Sequence, residues 1–171
     1  MSEETLQEMI EVKLKRKLLV EMSENEVDQF LTCAPVGRVG INFQDDPYIV
    51  PVGFGYENGE IFFHTCYKGL KMEGMRQNSN VCFEVDESTS DASMFKSVIV
   101  YGTVSIIDDR AKMLPYLKKL INKYRVPVSF GEYMRNRDTE KEMSIVRVCI
   151  IKINRMSGRM MVRIDREKLS L

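Results

Sequence analysis

Residues 36–65 constrain the fold more than any other part of the sequence, because three β-forming runs follow one another with only turn residues between them. Residues 36–42 lead through Gln44-Asp45-Asp46-Pro47 into residues 48–56, and Glu57-Asn58-Gly59-Glu60 leads on into residues 61–65. Asn-Gly suits a two-residue type I′ hairpin, in which both central residues take positive φ. Strands joined this tightly run antiparallel, so the chain opens its sheet as a meander.

The remaining elements attach to that meander. Leu6, Met9, Ile10, Leu14, Leu18 and Leu19 recur at helical spacing and predict an amphipathic helix over residues 4–19, with Lys13, Lys15, Arg16 and Lys17 on its solvated face. Ser23 followed by Glu26 has the form of a capping box and opens a second helix through Val27, Phe30 and Leu31 to Cys33, stopped by Pro35. The amino-terminal segment 4–34 therefore reads as helical. Beyond the meander the pattern gives a short helix over 67–77, a strand over 81–85, a polar loop over 87–93 and a long strand over 95–107. Gly102 within that strand marks a bulge or bend. Asp108 and Asp109 stand where an N-cap is needed, starting a helix to Tyr124 with Pro115 assigned to its tolerant first turn. Residues 125–138 read as an irregular connection and 145–153 as a final strand. Six antiparallel strands with helices inserted at the turns predict a small, mainly β barrel occupying residues 1–171 as a single domain.

Composition narrows the function. The 171 residues are 44% hydrophobic and 29% charged, which is globular, and 25 Lys and Arg balance 25 Asp and Glu. No global positive field exists to gather nucleic acid or anionic lipid, and no apolar run approaches the roughly 20 residues of a membrane span. With an acidic start rather than a basic leader, the expected location is the cytoplasm. Lys123-Tyr124-Arg125 and Tyr133 to Arg137 interleave bases with aromatics, but Glu132, Asp138 and Glu140 beside them favour a solvated loop over a single-strand binder. Cys33, Cys66, Cys82 and Cys149 form no CxxC pair, and one histidine leaves no zinc set, so the cysteines are expected as reduced core thiols.

Signatures of nucleotide loops, serine hydrolases and zinc proteases are absent. His64, the only histidine, ends the run Phe62-Phe63-His64-Thr65 and is followed by Lys68-Gly69-Leu70-Lys71 at the expected start of a helix. A hydroxyl, two lysines, a glycine and the unpaired N–H groups of a helix start have the chemistry of a phosphate site. A solvated cationic turn has the same spacing, and spacing alone leaves the two level.

The run Pro47-Tyr48-Ile49-Val50-Pro51-Val52-Gly53-Phe54-Gly55-Tyr56, then residues 61–65, Gly69-Leu70-Lys71, residues 81–85, Lys96-Ser97-Val98-Ile99-Val100-Tyr101-Gly102-Thr103 and Ile153 to Arg159 together resemble nitroimidazole-resistance (Nim-type) flavoproteins. These belong to the pyridoxamine 5′-phosphate oxidase-like, FMN-binding split-barrel superfamily. The resemblance implies a homodimer with FMN at the subunit interface. It implies that Ile49, Val50, Pro51 and Val52 lie along the flavin, that His64 and Thr65 meet the ring and its phosphate tail, that Gly69, Leu70 and Lys71 cradle the phosphate, beside the Lys68 that the residue pattern itself adds, and that Ser97 makes a polar contact to the ring. The activity implied is FMN-dependent reduction of a small electron-poor acceptor such as a nitroimidazole, with His64 as substrate contact or proton donor, Tyr67 and Tyr101 as candidate walls, and an NAD(P)H-type electron donor. A flavin-, phosphoryl-ligand- or haem-binding sensor without turnover is the alternative. The chain has no Trp and its tail does not match the arginine-rich substrate segment of true pyridoxamine phosphate oxidases, so that activity is not expected. Leu70 replaces a residue that is basic in many Nim-type chains.

Overall fold

A computed structural model of the chain describes residues 17–124 and 139–163. In order these form β1 (Lys17–Glu21), α1 (Glu24–Cys33), β2 (Val36–Phe43), β3 (Asp46–Glu57), β4 (Glu60–Cys66), α2 (Leu70–Gln77), β5 (Asn80–Ser88), β6 (Phe95–Ile107), α3 (Arg110–Lys123), α4 (Thr139–Ile145) and β7 (Val146–Arg163). The strands form one antiparallel sheet in the order β1-β7-β4-β3-β2-β5-β6, and a further β6–β7 pairing closes it on itself. Six strands make the ring, as expected, and β1 is a seventh laid on the far end of β7, from Lys17 opposite Arg163 to Glu21 opposite Arg159. The closed ring leaves few strand edges unpaired.

Both tight turns of the meander take left-handed backbone, at Gln44 and Asp45 (φ 53 and 68) and at Asn58 and Gly59 (φ 52 and 74). Asn-Gly supplies this without strain, as the sequence indicates. At α1 the Ser23 and Glu26 side chains and backbones cap each other reciprocally. That helix lays Val27, Phe30 and Leu31 on one end of the barrel core. The core continues through Val39, Phe54, Ile61, Phe63, Phe83, Val98, Val100 and Ile151, all buried. A second, smaller cluster lies outside the ring, where Phe62, Val148 and Ile150 meet Met113 and Leu120 of α3 and Met143 of α4. Alternation along β4 therefore feeds two cores: Ile61 and Phe63 inward, Phe62 outward.

Several expectations are corrected. The helix expected over residues 4–19 lies mostly outside the described residues, but its last three residues are strand, because the overhanging end of β7 offers them an edge. The helix expected from Tyr67 starts at Leu70, since Gly69 at φ 109 is not helical. Pro115 lies in the second turn of α3, not the first, and the helix continues through it. The carbonyl of exposed Ala111, which loses its i+4 partner, is free to take water. The final strand runs on to Arg163. Among the cysteines only Cys149 is buried, while Cys33 and Cys66 are exposed. Lys123 and Tyr124 serve packing: the Lys123 Nζ lies 4.1 Å from the Phe54 ring centroid, and the Tyr124 hydroxyl donates to the Pro35 carbonyl at 2.6 Å. The connection expected over 125–138, with its Tyr133 to Arg137 stretch, lies outside the described residues.

The bulge foreseen at Gly102 is present, with its extra residue on the opposite strand. Tyr101 pairs with Arg155 and Gly102 with Ile153, so Asn154 has no partner and donates its amide to Thr103 Oγ1 at 3.1 Å. Before the bulge Cys149 and Ile151 face the core; after it Gly158, opposite buried Val98, does. A Cβ on Gly102 would stand 2.5 Å from both the Lys152 carbonyl oxygen and Ile151 Cγ2. Gly102→Ala is expected to destabilise the fold by about 1–3 kcal/mol through overpacking, read as a lower denaturant midpoint. A midpoint equal to that of the parent chain would show that β6 and β7 do not approach so closely.

Candidate functional site

The barrel is open along one seam. β3 pairs with β2 along Asp46 to Gly53, but pairs with β4 only from Phe54, opposite Phe63, to Glu57, opposite Glu60. Beyond Phe63, His64, Thr65 and Cys66 pair with Val148, Arg147 and Val146 of β7 alone. On the first half of β3, every second residue turns its N–H and C=O away from β2, toward a side where no described strand receives them. Such an edge can hydrogen-bond the rim of a flat polar ligand. Ile49, Val50, Pro51 and Val52 lie on this stretch: Ile49 is 65% exposed, Val50 packs on the core and Val52 is buried.

Across the seam stands a cationic group. Thr65 shares the inward parity of Phe63, and Arg147 lies directly opposite it on β7. Lys71, in the first turn of α2, places Nζ 5.7 Å from the Phe63 ring centroid, at the mouth of the barrel. The link between β4 and α2 is pinned by the Tyr67 N–H, which donates to the Ile145 carbonyl at 2.8 Å. The Tyr67 ring has Lys68 Nζ 4.9 Å and Arg147 Cζ 5.6 Å from its centroid. Among the described residues none of Lys68, Lys71 and Arg147 makes an ion pair with a carboxylate. Arg147 Nη1 donates to the Ser144 and Val146 carbonyls at 3.0 and 2.6 Å, so its other N–H groups, with Lys68 and Lys71, make a local excess of positive charge at one barrel mouth in a chain of zero net charge.

The start of α2 completes the cradle. Gly69 caps it without a side chain, its carbonyl accepting from Met72 N–H at 2.9 Å and Glu73 N–H at 3.0 Å, which leaves the N–H groups of Leu70 and Lys71 without acceptors among the described residues. A Cβ on Gly69 would meet nothing within 4 Å, so its left-handed backbone, not crowding, calls for glycine. A threonine hydroxyl, two free helix-start N–H groups, Lys71 and Arg147 form a donor set that fits a phosphate monoester.

His64 lies on the other face of β4, the face of Phe62. The side chain is exposed, yet the protein around its base desolvates it in part, and this, with the charge of Lys71 second, pushes its pKa below the ordinary histidine range. Near neutral pH the balance thus moves toward neutral imidazole, which donates at one nitrogen and accepts at the other. Burial likewise lowers the pKa of Lys71, a trend that Cys149 opposes. The Cys149 thiol is itself pushed up to about 12 by burial and is not a nucleophile at neutral pH.

Ser97 does not join this group. It pairs with Asp86 and Arg159, whereas Thr65 pairs with Arg147, twelve residues away along β7 and roughly 40 Å of strand. Sequence reasoning also missed Arg147. Its signal was available: Arg147 has the parity of Cys149 and Ile151, and a charge on the core side of a strand marks a mouth or a ligand.

The chain belongs to the pyridoxamine 5′-phosphate oxidase family, whose model matches residues 23–160. Its fold is similar to that of a candidate 5-nitroimidazole antibiotic resistance protein from Bacteroides thetaiotaomicron, at TM-score 0.71 and 21% identity over 85% of this chain and 89% of that one. It is also similar to an FAD-binding protein from Mesorhizobium loti, at TM-score 0.65 and 25% identity over 86% and 99%, and to an FAD- and haem-binding protein from Mycobacterium smegmatis, at TM-score 0.67 and 20% identity over 90% and 78%. A curated relative, an uncharacterised protein from Rhizobium meliloti (strain 1021), is 29% identical over 83 residues, which are 47% of this chain and about half (52%) of that relative.

The coupling of Lys71 to His64 can be read directly. In Lys71→Met the His64 pKa, followed by NMR of its ring protons, is expected to rise, because a like charge that disfavours imidazolium has gone. An unchanged titration would show that burial alone sets it.

Proposed function

We propose that the protein is an FMN-dependent oxidoreductase of the Nim type, working as a homodimer in the cytoplasm and passing electrons from an NAD(P)H-type donor to small electron-poor acceptors such as nitroimidazoles. One observation carries this reading: an open backbone edge at residues 46–53 lies across a seam from a group of phosphate-type donors, Thr65, the N–H groups of Leu70 and Lys71 behind Gly69, the Lys71 ammonium and Arg147. A flavin mononucleotide has those two parts, a flat ring with polar edges and a phosphate on a short tail.

When bound, FMN supplies the hydride and electron transfer. The chain's residues do the rest. Lys71 and Arg147 neutralise the phosphate, with Lys68 at the rim, and Thr65 and the α2 N–H groups fix its oxygens. The β3 edge at Ile49 to Val52 orients the ring. His64 stands beside the acceptor and, being largely neutral near pH 7, presents both a donor and an acceptor nitrogen, so it can relay a proton.

In this reading Ser97, at the other end of the β6–β7 ladder from Thr65, contacts the flavin of the second protomer. The outer face offers a surface for this: Ile49, Gly40, Cys82, Tyr101 and Arg155 line up across β3, β2, β5, β6 and β7. On it Ile49 and Tyr101 are exposed, and the Arg155 guanidinium is stacked 4.0 Å from the Tyr101 ring centroid. Exposed apolar surface of this kind marks interaction sites.

The purified protein is expected to be yellow, to be bleached by NADH or NADPH and to be reoxidised by a nitroimidazole. Lys71→Met is expected to weaken FMN binding about 10- to 100-fold, the loss of a charge-assisted phosphate contact, measured by quenching of flavin fluorescence. His64→Ala is expected to keep FMN and lose most acceptor reduction. Colourless protein that FMN does not reconstitute overturns the assignment, a Soret band redirects it to haem, and full turnover in His64→Ala removes the role given to that residue.

A further inference from the structure

A cavity of about 730 Å³, within the usual range for small-molecule sites, lies away from the seam, between α1 and the ends of β2, β5, β6 and β7. Its apolar lining comes from Met22, Phe30, Val36 and Met160, and the two thioethers suit contact with an aryl or alkyl body. Lys96 Nζ already lies 4.6 Å from the Phe30 ring centroid, so the attraction of that ring for a cation is taken up within the protein. The charge of a ligand must find its partner elsewhere on the wall.

That wall is acidic. Glu26, Asp86 and Glu87 line it against Arg38 and Lys96, and Arg38 is shared with a further carboxylate, Glu84, at 3.1 Å. Arg38 also pairs with Asp86, and Lys96 with Glu87 at 2.7 Å, so both cations are held and neither is left to an anion. Glu26 faces no cation and makes no ion pair among the described residues. Its Oε2 accepts from the Ser23 N–H at 2.8 Å and the Ser23 hydroxyl at 2.7 Å, while its Oε1 has no donor among the described residues. The Ser23 bonds, the hydroxyl's above all, hold the Glu26 pKa below the ordinary carboxylate range, so the group is charged at neutral pH. Among the described residues no three His, Cys, Asp or Glu side chains converge as a metal ion requires. The cation suited to this wall is one that brings its own apolar bulk.

We propose that this cavity binds amphiphilic organic amines, with the aryl or alkyl body on Met22, Phe30 and Met160 and the terminal ammonium donating to Glu26 Oε1. Such a ligand breaks no ion pair of the protein and adds positive charge where carboxylates are in excess. The site stands on its own and does not depend on the flavin assignment.

Three probes of nearly equal shape test it: 4-phenylbutylamine, 4-phenylbutanol and 4-phenylbutyrate, titrated calorimetrically near neutral pH into the full chain with and without FMN. The amine is expected to bind about 10-fold more tightly than the alcohol, the gain of one charge-assisted hydrogen bond, and the carboxylate more weakly than either. Glu26→Gln keeps the capping box, since glutamine serves at that position as glutamate does. It is expected to bring the amine down to the affinity of the alcohol and to leave the alcohol unchanged. Gln29→Trp, at an exposed position of α1 on the cavity wall, is expected to weaken the amine about 10-fold by occupying the space of its body, with FMN affinity unchanged. An alcohol or carboxylate that binds as tightly as the amine overturns the ligand class. An amine preference that survives Glu26→Gln overturns the role of that carboxylate. Failure of the amine to bind, or its undiminished binding in folded Gln29→Trp, overturns the site. Protein that binds the amine but not FMN keeps this site and loses the flavin reading instead.

Discussion

The β3–β4 ladder ends at Phe54 and Phe63, and most of what the molecule can do depends on that ending. Above it the two strands share hydrogen bonds and seal the barrel. Below it they separate, and each must find other partners: β4 finds β7, while β3 keeps β2 on one side and leaves the other open. A fully laddered barrel would have no polar backbone to offer a ligand. A wider opening would expose Phe63, Val52 and Cys149 to water. The Lys71 side chain sits at this boundary, its charged tip over the Phe63 ring, and so covers the core while presenting charge outward.

The same economy appears at both ends of the barrel, with opposite electrostatics. At the seam the cations are left without carboxylates, which favours an anion. At the α1 end the cations Arg38 and Lys96 are both held by carboxylates, Glu84, Asp86 and Glu87, and Glu26 adds one more acidic group. Equal totals of acid and base over the chain thus conceal an uneven distribution, and the distribution, not the total, carries the specificity.

Much of the fold is legible in the sequence because it rests on local chemistry. The Asn58-Gly59 turn, the Ser23–Glu26 box and the extent of β6, which agrees with its expected bounds to the residue, all follow from patterns within a few positions. Features that depend on distant partners are not legible in this way. The Leu-rich end of the expected first helix is β1 only because β7 extends beyond the ring and offers it an edge. Nothing within β3 tells where β4 will leave it, so the residues of the seam are recognisable while the seam itself is not. Ser97 shows the same limit: its residue type and spacing suit a flavin contact, and only the register reveals that it lies at the far end from Thr65.

Asn154 gives β7 two reading frames. Upstream of it the odd-numbered residues, Arg147, Cys149 and Ile151, face inward; downstream the frame is even-numbered, with Met156 opposite buried Val100 but itself exposed and Gly158 buried beneath Met22 and α1. A strand without this extra residue would keep a single frame along its whole length and turn Arg155 and Arg159 into the core. The bulge therefore lets one continuous strand serve a cationic mouth at one end and an apolar seat for α1 at the other. It also divides the strand's tolerance of change: substitutions can accumulate on either side, whereas an insertion or deletion is absorbed only at the bulge, since anywhere else it would exchange the inner and outer faces of half the strand.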